Sequence, residues 1–114
     1  MPPQIYVNPS CSKSRTALSL LEERGIKADT ILYLDEAPTV ADLKRLMRLL
    51  AIDDPRQMMR TGEPVYAELG LDGVTGDDLL EAVANHPILL ERPIFVVADR
   101  AVIARPPERV LELL

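Results

Sequence analysis

The spacing of apolar residues changes several times along this chain, and the changes mark out its elements. Ile5-Tyr6-Val7 is a short apolar run that stops at the turn dipeptide Asn8-Pro9, so Gln4–Val7 reads as a strand. From Ser14 onward Ala17, Leu18, Leu20 and Leu21 take up helical spacing, and Gly25 suits the position just past a helix end; a helix is predicted over 14–24. Thr30, Ile31, Leu32, Tyr33 and Leu34 form a β-branched and apolar run, so 28–34 is a second strand. Strand, helix and strand joined by short links imply a right-handed crossover and a parallel pair.

The pattern then turns helical. Thr39 followed by Asp42 has the form of a capping box, and Leu43, Leu46, Met47 and Leu50 follow as the stripe of an amphipathic helix. Asp54-Pro55 reads as an N-cap with proline at the first helical position, opening a short helix to about Arg60. Thr61-Gly62-Glu63-Pro64 is a turn, 65–69 is one or two helical turns, and Gly70 ends them. Thr75 can cap a helix over 76–84 with Leu79, Leu80 and Val83 on one face, and His86-Pro87 closes it. Ile94 to Ala98 is a continuous apolar run and hence a buried strand. Asp99-Arg100 is short enough for a hairpin turn, 101–104 would return, and Pro106-Pro107 leads into a last helix carrying Val110, Leu111 and Leu114. The order β-α-β … β-β-α predicts an α/β fold: a four-stranded mixed sheet, one domain over 1–114, with a helical insertion at approximately 39–90 between the two halves.

Composition narrows the function. With 114 residues, 47% of them hydrophobic and only 4% aromatic, the chain can bury an aliphatic core without disulfides or metal. A net charge of −5 argues against nucleic acid and anionic membrane surfaces as partners. A single cysteine excludes an internal disulfide, a Cys-x-x-Cys redox pair and a cysteine-rich zinc site, and a single histidine excludes a histidine metal cluster, so no metal is expected. The start of the chain has no basic segment leading into an apolar run, and no stretch is long enough to span a bilayer. A cytoplasmic protein whose thiol stays reduced is the expectation.

That cysteine is the candidate for chemistry. Cys11 sits where the first strand turns into the first helix, among Ser10, Ser12, Lys13, Ser14 and Arg15. The unpaired N–H groups and dipole of a helix start favour an anion there, either the thiolate itself or a bound oxyanion. A lone cysteine is more often a buried hydrophobe, and the polar surroundings offset that reading to even odds.

The element order with one cysteine after the first strand resembles the thioredoxin superfamily. Asn8-Pro9-Ser10-Cys11-Ser12-Lys13-Ser14-Arg15 is similar to the active-site signature of the glutaredoxin-linked arsenate reductases. Ile31-Leu32-Tyr33-Leu34 resembles their second strand; Met59-Arg60, Glu63-Pro64 and Tyr66-Ala67-Glu68-Leu69 resemble their helical insert. His86 to Ile94 resembles the approach to their third strand, and Ala104-Arg105-Pro106-Pro107-Glu108 their closing segment. The likeness covers essentially the whole chain. It implies Cys11 as the nucleophile, with Arg60, Arg92 and Arg105 around the oxyanion and supporting roles for Asn8, Ser14 and Arg15. Pro93 matches the superfamily's cis proline beside the reactive cysteine, so a cis Arg92–Pro93 bond is expected.

Guanidinium groups suit this task, because they bind a multiply charged oxyanion bidentately and lower a neighbouring thiol's pKa. The resemblance implies a thioarsenate on Cys11, resolved by an external thiol: glutathione as co-substrate, then glutaredoxin, with no tightly bound cofactor and a monomeric protein. Two departures stand out. Val7 occupies the place where many members carry histidine, and Ser14 stands where the related RNA-polymerase-binding regulators have a second cysteine. A regulator or adaptor that binds a protein partner, and a glutathione-linked thiol oxidoreductase with another substrate, are the alternative readings.

Overall fold

The computed structural model describes residues 2–114. The chain divides into two compact units: residues up to Glu36 together with Arg92–Leu114, and Ala37–Glu91.

The first unit is built on a four-stranded sheet in the order β2-β1-β3-β4. Strand β1 is Gln4–Val7, helix α1 is Ser12–Glu23 and strand β2 is Asp29–Leu32, with β1 and β2 parallel as the crossover requires. Strands β3 (Ile94–Val97) and β4 (Arg100–Ile103) are antiparallel to each other, and β3 runs antiparallel to β1. Ile5 lies opposite Phe95, and Phe95 opposite Val102. These residues and Val7 line one face, where Ala17 and Leu21 of α1 and Val110 and Leu113 of a closing 3₁₀ helix (Pro107–Leu113) cover them. On the other face Tyr6, Ile94 and Val96 are also buried. Burial on both faces explains why the central strands read as unbroken apolar runs. The four aromatic residues are few but all interior: Tyr6, Tyr33, Tyr66 and Phe95 are each at most 6% exposed.

Several boundaries move from their expected places. Helix α1 begins at Ser12 with Cys11 as its N-cap, two residues earlier than the apolar periodicity suggests, because its first turn is polar. Strand β2 stops at Leu32: the N–H groups of Asp35 and Glu36 both donate to the Leu32 carbonyl, which rolls Tyr33 and Leu34 into a turn. The hairpin link is Ala98-Asp99 rather than Asp99-Arg100, since Val97 pairs with Arg100. It places Ala98 at φ 53°, a left-handed conformation that costs a non-glycine residue roughly 1–2 kcal/mol. The last helix is 3₁₀ rather than α.

The second unit is helical. Helix α2 (Val40–Leu50) starts with the expected capping box, Thr39 Oγ1 accepting from the Asp42 N–H at 3.1 Å and Asp42 Oδ2 accepting from the Thr39 N–H at 2.9 Å. Its buried Leu43 and Leu46 face α4 (Gly76–Asn85), which contributes Leu79, Leu80 and Val83. Each such leucine removed from water stabilises the unit by about 1.5–3 kcal/mol. Thr75 occupies the N-cap of α4 but its side chain makes no capping hydrogen bond. Asp54-Pro55 opens a 3₁₀ turn over Pro55–Met58 that ends short of Arg60. There Met59 bridges to Leu90: the Arg60 N–H donates to the Leu89 carbonyl at 2.7 Å and the Glu91 N–H to the Met58 carbonyl at 2.8 Å. Helix α3 is Pro64–Glu68. Arg56 ties this unit together, donating to the carbonyls of Leu71, Asp72 and Val74 and to the Tyr66 hydroxyl.

Candidate active site

Strand β1 ends in the turn that carries the cysteine. The Asn8 carbonyl accepts from the Cys11 N–H at 2.9 Å, and Asn8 Oδ1 accepts from the Ser10 N–H at 3.0 Å. Asn8 is therefore a turn-forming residue, its side chain engaged with the loop rather than the sulfur. Arg15, one turn into α1, donates from Nη1 to the Pro9 carbonyl at 3.1 Å and clamps the loop from outside. Ser14 is fully buried, the one buried polar residue among those described. Its Oγ accepts from the Asn8 N–H at 3.2 Å, which leaves its own proton free to point at Cys11.

The sulfur is half-buried and unpaired with any other thiol. No side-chain hydrogen bond of ordinary geometry caps α1 at Cys11. Partial burial pushes the thiol pKa up. The N–H groups of Ser14 and Lys13, the Ser14 hydroxyl and the positive charge of Arg105 outweigh it, and the net effect is a lowered pKa. These amides are orphan donors of the first helical turn, so the fold supplies an anion site without a dedicated ligand residue. Val7 is 1% exposed and belongs to the core beside Ile5 and Phe95. It offers the sulfur no hydrogen bond.

Arg92 and Arg105 reach this end of the sheet by strand register. Tyr6 pairs with Ile94 and Ile94 with Ile103, and the Ala104 N–H donates to the Pro93 carbonyl. Asn8 follows β1, Arg92 precedes β3 and Arg105 follows β4, so the antiparallel register puts all three at the same end of the sheet. Arg105 Nη1 donates to the Arg92 carbonyl at 3.0 Å. Nε and Nη1 of Arg92 are buried without a hydrogen-bond partner, and no other buried side-chain nitrogen or oxygen among the described residues is so placed. Leaving such donors unmade costs about 1–3 kcal/mol each, a cost that an anion placed there would recover. The Arg92–Pro93 peptide bond is cis, as the resemblance implies, and so is Arg105–Pro106, which the sequence did not suggest.

Arg60 belongs to the helical unit. It lines a polar recess with Thr61, Gly62, Glu63, Pro64 and Glu91, and its Nη1 forms an ion pair with Glu63 Oε1 at 2.8 Å. The sequence put Glu63 in a turn and in the segment that resembles the helical insert, without a role in the site; its spacing of three from Arg60 across Thr61-Gly62 was the available signal. His86 closes α4, its N–H donating to the Ala82 and Val83 carbonyls. No group of metal-ligating side chains occurs among the described residues, and no helix among them is long and apolar enough to cross a membrane.

A parallel β-α-β crossover completed by an antiparallel hairpin, with a lone activated cysteine at the start of the first helix, defines a thioredoxin-like thiol protein. The ArsC family model matches residues 6–113 of this chain. Arsenate reductase of Neisseria meningitidis serogroup A is 49% identical over 109 residues, covering 94% of this chain and 93% of that protein. Arsenate reductase of Haemophilus influenzae is 47% identical over 112 residues, covering 96% and 97%. The solved structure of an arsenate reductase from Vibrio cholerae superposes with a TM-score of 0.95 at 50% identity, covering 100% of this chain and 98% of that one. This chain belongs to the ArsC family.

Proposed function

We propose that this protein is an arsenate reductase with Cys11 as its nucleophile. The observation that carries the reading is local to the sheet unit: a thiol of lowered pKa, held by the amides of Lys13 and Ser14 and the charge of Arg105, in the same unit as an Arg92 whose buried donors lack a partner. The Arg105 guanidinium is tied to the Arg92 backbone carbonyl, so the two residues bring a pair of cations to one end of the sheet. Such a pair stabilises a thiolate and a tetrahedral oxyanion for the same electrostatic reason. Arg60 is assigned to the same oxyanion by the family motif.

In the proposed reaction the Cys11 thiolate attacks arsenic, an arsenate oxygen leaves as water after protonation, and a thioarsenate forms. With one cysteine in the chain, the resolving thiol comes from outside. Glutathione serves as co-substrate and glutaredoxin as the protein that regenerates Cys11. Over the cycle arsenic(V) gains two electrons and leaves as arsenite, while two glutathione thiols become one disulfide. A cytoplasmic monomer with access to the glutathione pool fits this chemistry. The loop residues Asn8 and Arg15 act through the position of Cys11, and Ser14 acts on the thiolate directly.

The test is arsenate-dependent oxidation of glutathione by the purified protein, with glutaredoxin or thioredoxin supplied as alternative partners. Cys11→Ser is expected to abolish turnover. Arg92→Ala, and Arg92→Lys, which cannot offer the planar fork, are each expected to lower kcat/KM by roughly 100-fold. Full turnover by Cys11→Ser would remove the nucleophile assignment, and turnover with thioredoxin alone would remove the glutaredoxin step.

A further inference from the structure

Arg60 already has an anion. Its guanidinium is held by Glu63, with the two side chains only 28% and 18% exposed, so the pair is more sheltered than an ordinary surface ion pair. The backbone favours this contact. The Glu63 N–H donates to the Arg60 carbonyl at 3.1 Å, closing the turn that brings both side chains to one side. Hydrogen bonds from the Arg60 N–H to Leu89 and from the Glu91 N–H to Met58 pin the strand-like segments on either side of the recess. Glu63 stands at the N-cap of α3, yet its carboxylate caps no backbone N–H. Its acceptor capacity goes to Arg60 instead.

We propose that Glu63 is a positioning residue for Arg60 and a built-in competitor for the oxyanion; the inference rests on the assignment of Arg60 to arsenate given above. A carboxylate and two arsenate oxygens present the same acceptor spacing to a guanidinium fork. Glu63 therefore holds Arg60 in a defined orientation when the recess is empty and opposes the incoming charge when arsenate arrives. It sets the affinity of Arg60 for arsenate below what an unpaired guanidinium would give. It also favours oxyanions that accept several charge-assisted hydrogen bonds at once, since a weaker acceptor cannot take Arg60 from its partner. Thr61 and Glu91 line the same recess and would sense any change of occupant.

The experiment is calorimetric titration of arsenate into variants built on a Cys11→Ser background, so that binding is read without chemistry. Glu63→Gln keeps an oxygen for Arg60 and removes the charge; it is expected to tighten arsenate binding about fivefold. Glu63→Asp keeps the charge and is expected to stay within about twofold of the parent. Arg60→Ala is expected to weaken binding and to abolish the gain from Glu63→Gln in the double variant. Unchanged or weaker binding by Glu63→Gln, with Arg60→Ala still weakening it, would overturn the role of Glu63 and leave Arg60 in place. Equal tightening by Glu63→Asp would assign the effect to geometry and overturn the competition. Unchanged binding by Arg60→Ala would overturn the assignment of Arg60 and this inference with it.

Discussion

Replacing Ser14 by alanine removes one hydroxyl from the candidate site and leaves the helix backbone in place. That hydroxyl accepts the Asn8 N–H at 3.2 Å and supports the Cys11 thiolate with its own proton. A hydrogen bond to a charged group contributes about 1.5–3 kcal/mol when sheltered. Cys11 is only half-buried, so solvent screening reduces this to roughly 1–1.5 kcal/mol. The thiol of Ser14→Ala is therefore expected to titrate above that of the parent. It should still lie below a free thiol, because the amides of Lys13 and Ser14 and the charge of Arg105 remain. The rate of alkylation by iodoacetamide against pH measures it directly. The orphaned Asn8 N–H will cost about 1–3 kcal/mol of stability, so the titration is run on protein shown to be folded by circular dichroism. A titration within about 0.2 units of the parent would show that the hydroxyl serves only the loop, and the electrostatic account of Cys11 would lose one of its supports.

Two further results are expected. A thiol pKa lower in the folded than in the unfolded chain means that the unfolded state binds more protons between the two values, so stability rises with pH across that window. The stabilisation is complete above about pH 8.5, the unfolded thiol value, and is lost as pH falls through the folded one. The urea midpoint of the parent should accordingly climb more than that of Cys11→Ser as pH approaches 9 from neutrality, and parallel profiles would contradict the lowered pKa. Arg56→Met leaves the carbonyls of Leu71, Asp72 and Val74 without their shared donor. It is expected to lower the urea midpoint well below that of Arg100→Met, at the exposed first position of strand β4, and equal midpoints would mean that water replaces Arg56 at no cost.

Much of the architecture was legible because local signals agreed. The Asn8-Pro9 turn, the capping box at Thr39 and Asp42, the Asp54-Pro55 start and the apolar stripe of α2 each state a preference that the tertiary structure has no cause to override. The errors fall where a backbone hydrogen bond or conformation that the residue types do not announce decides. Strand β2 ends early because its terminal carbonyl is taken by a turn, and the segment after Met58 leaves its helix to bridge Leu90. The hairpin slipped by one residue because Ala98 adopts a conformation that its sequence does not advertise.

What the sequence determined by itself is a chemical inventory and its local setting. A single thiol stands at the point where a strand becomes a helix, and a helix start offers unpaired amides whatever surrounds it. Only the tertiary structure decided which cations act on that thiol. Arg92 and Arg105 are separated from Cys11 by about three quarters of the chain in sequence; the antiparallel register of β3 against β1 and β4 against β3 brings both to the same end of the sheet, and the charge of Arg105 acts on the thiol. Tertiary structure also decided that Arg92 keeps buried donors unpaired while Arg60 is held by Glu63. Charge is written in the residue type, but whether a charge is satisfied depends on neighbours that only folding supplies.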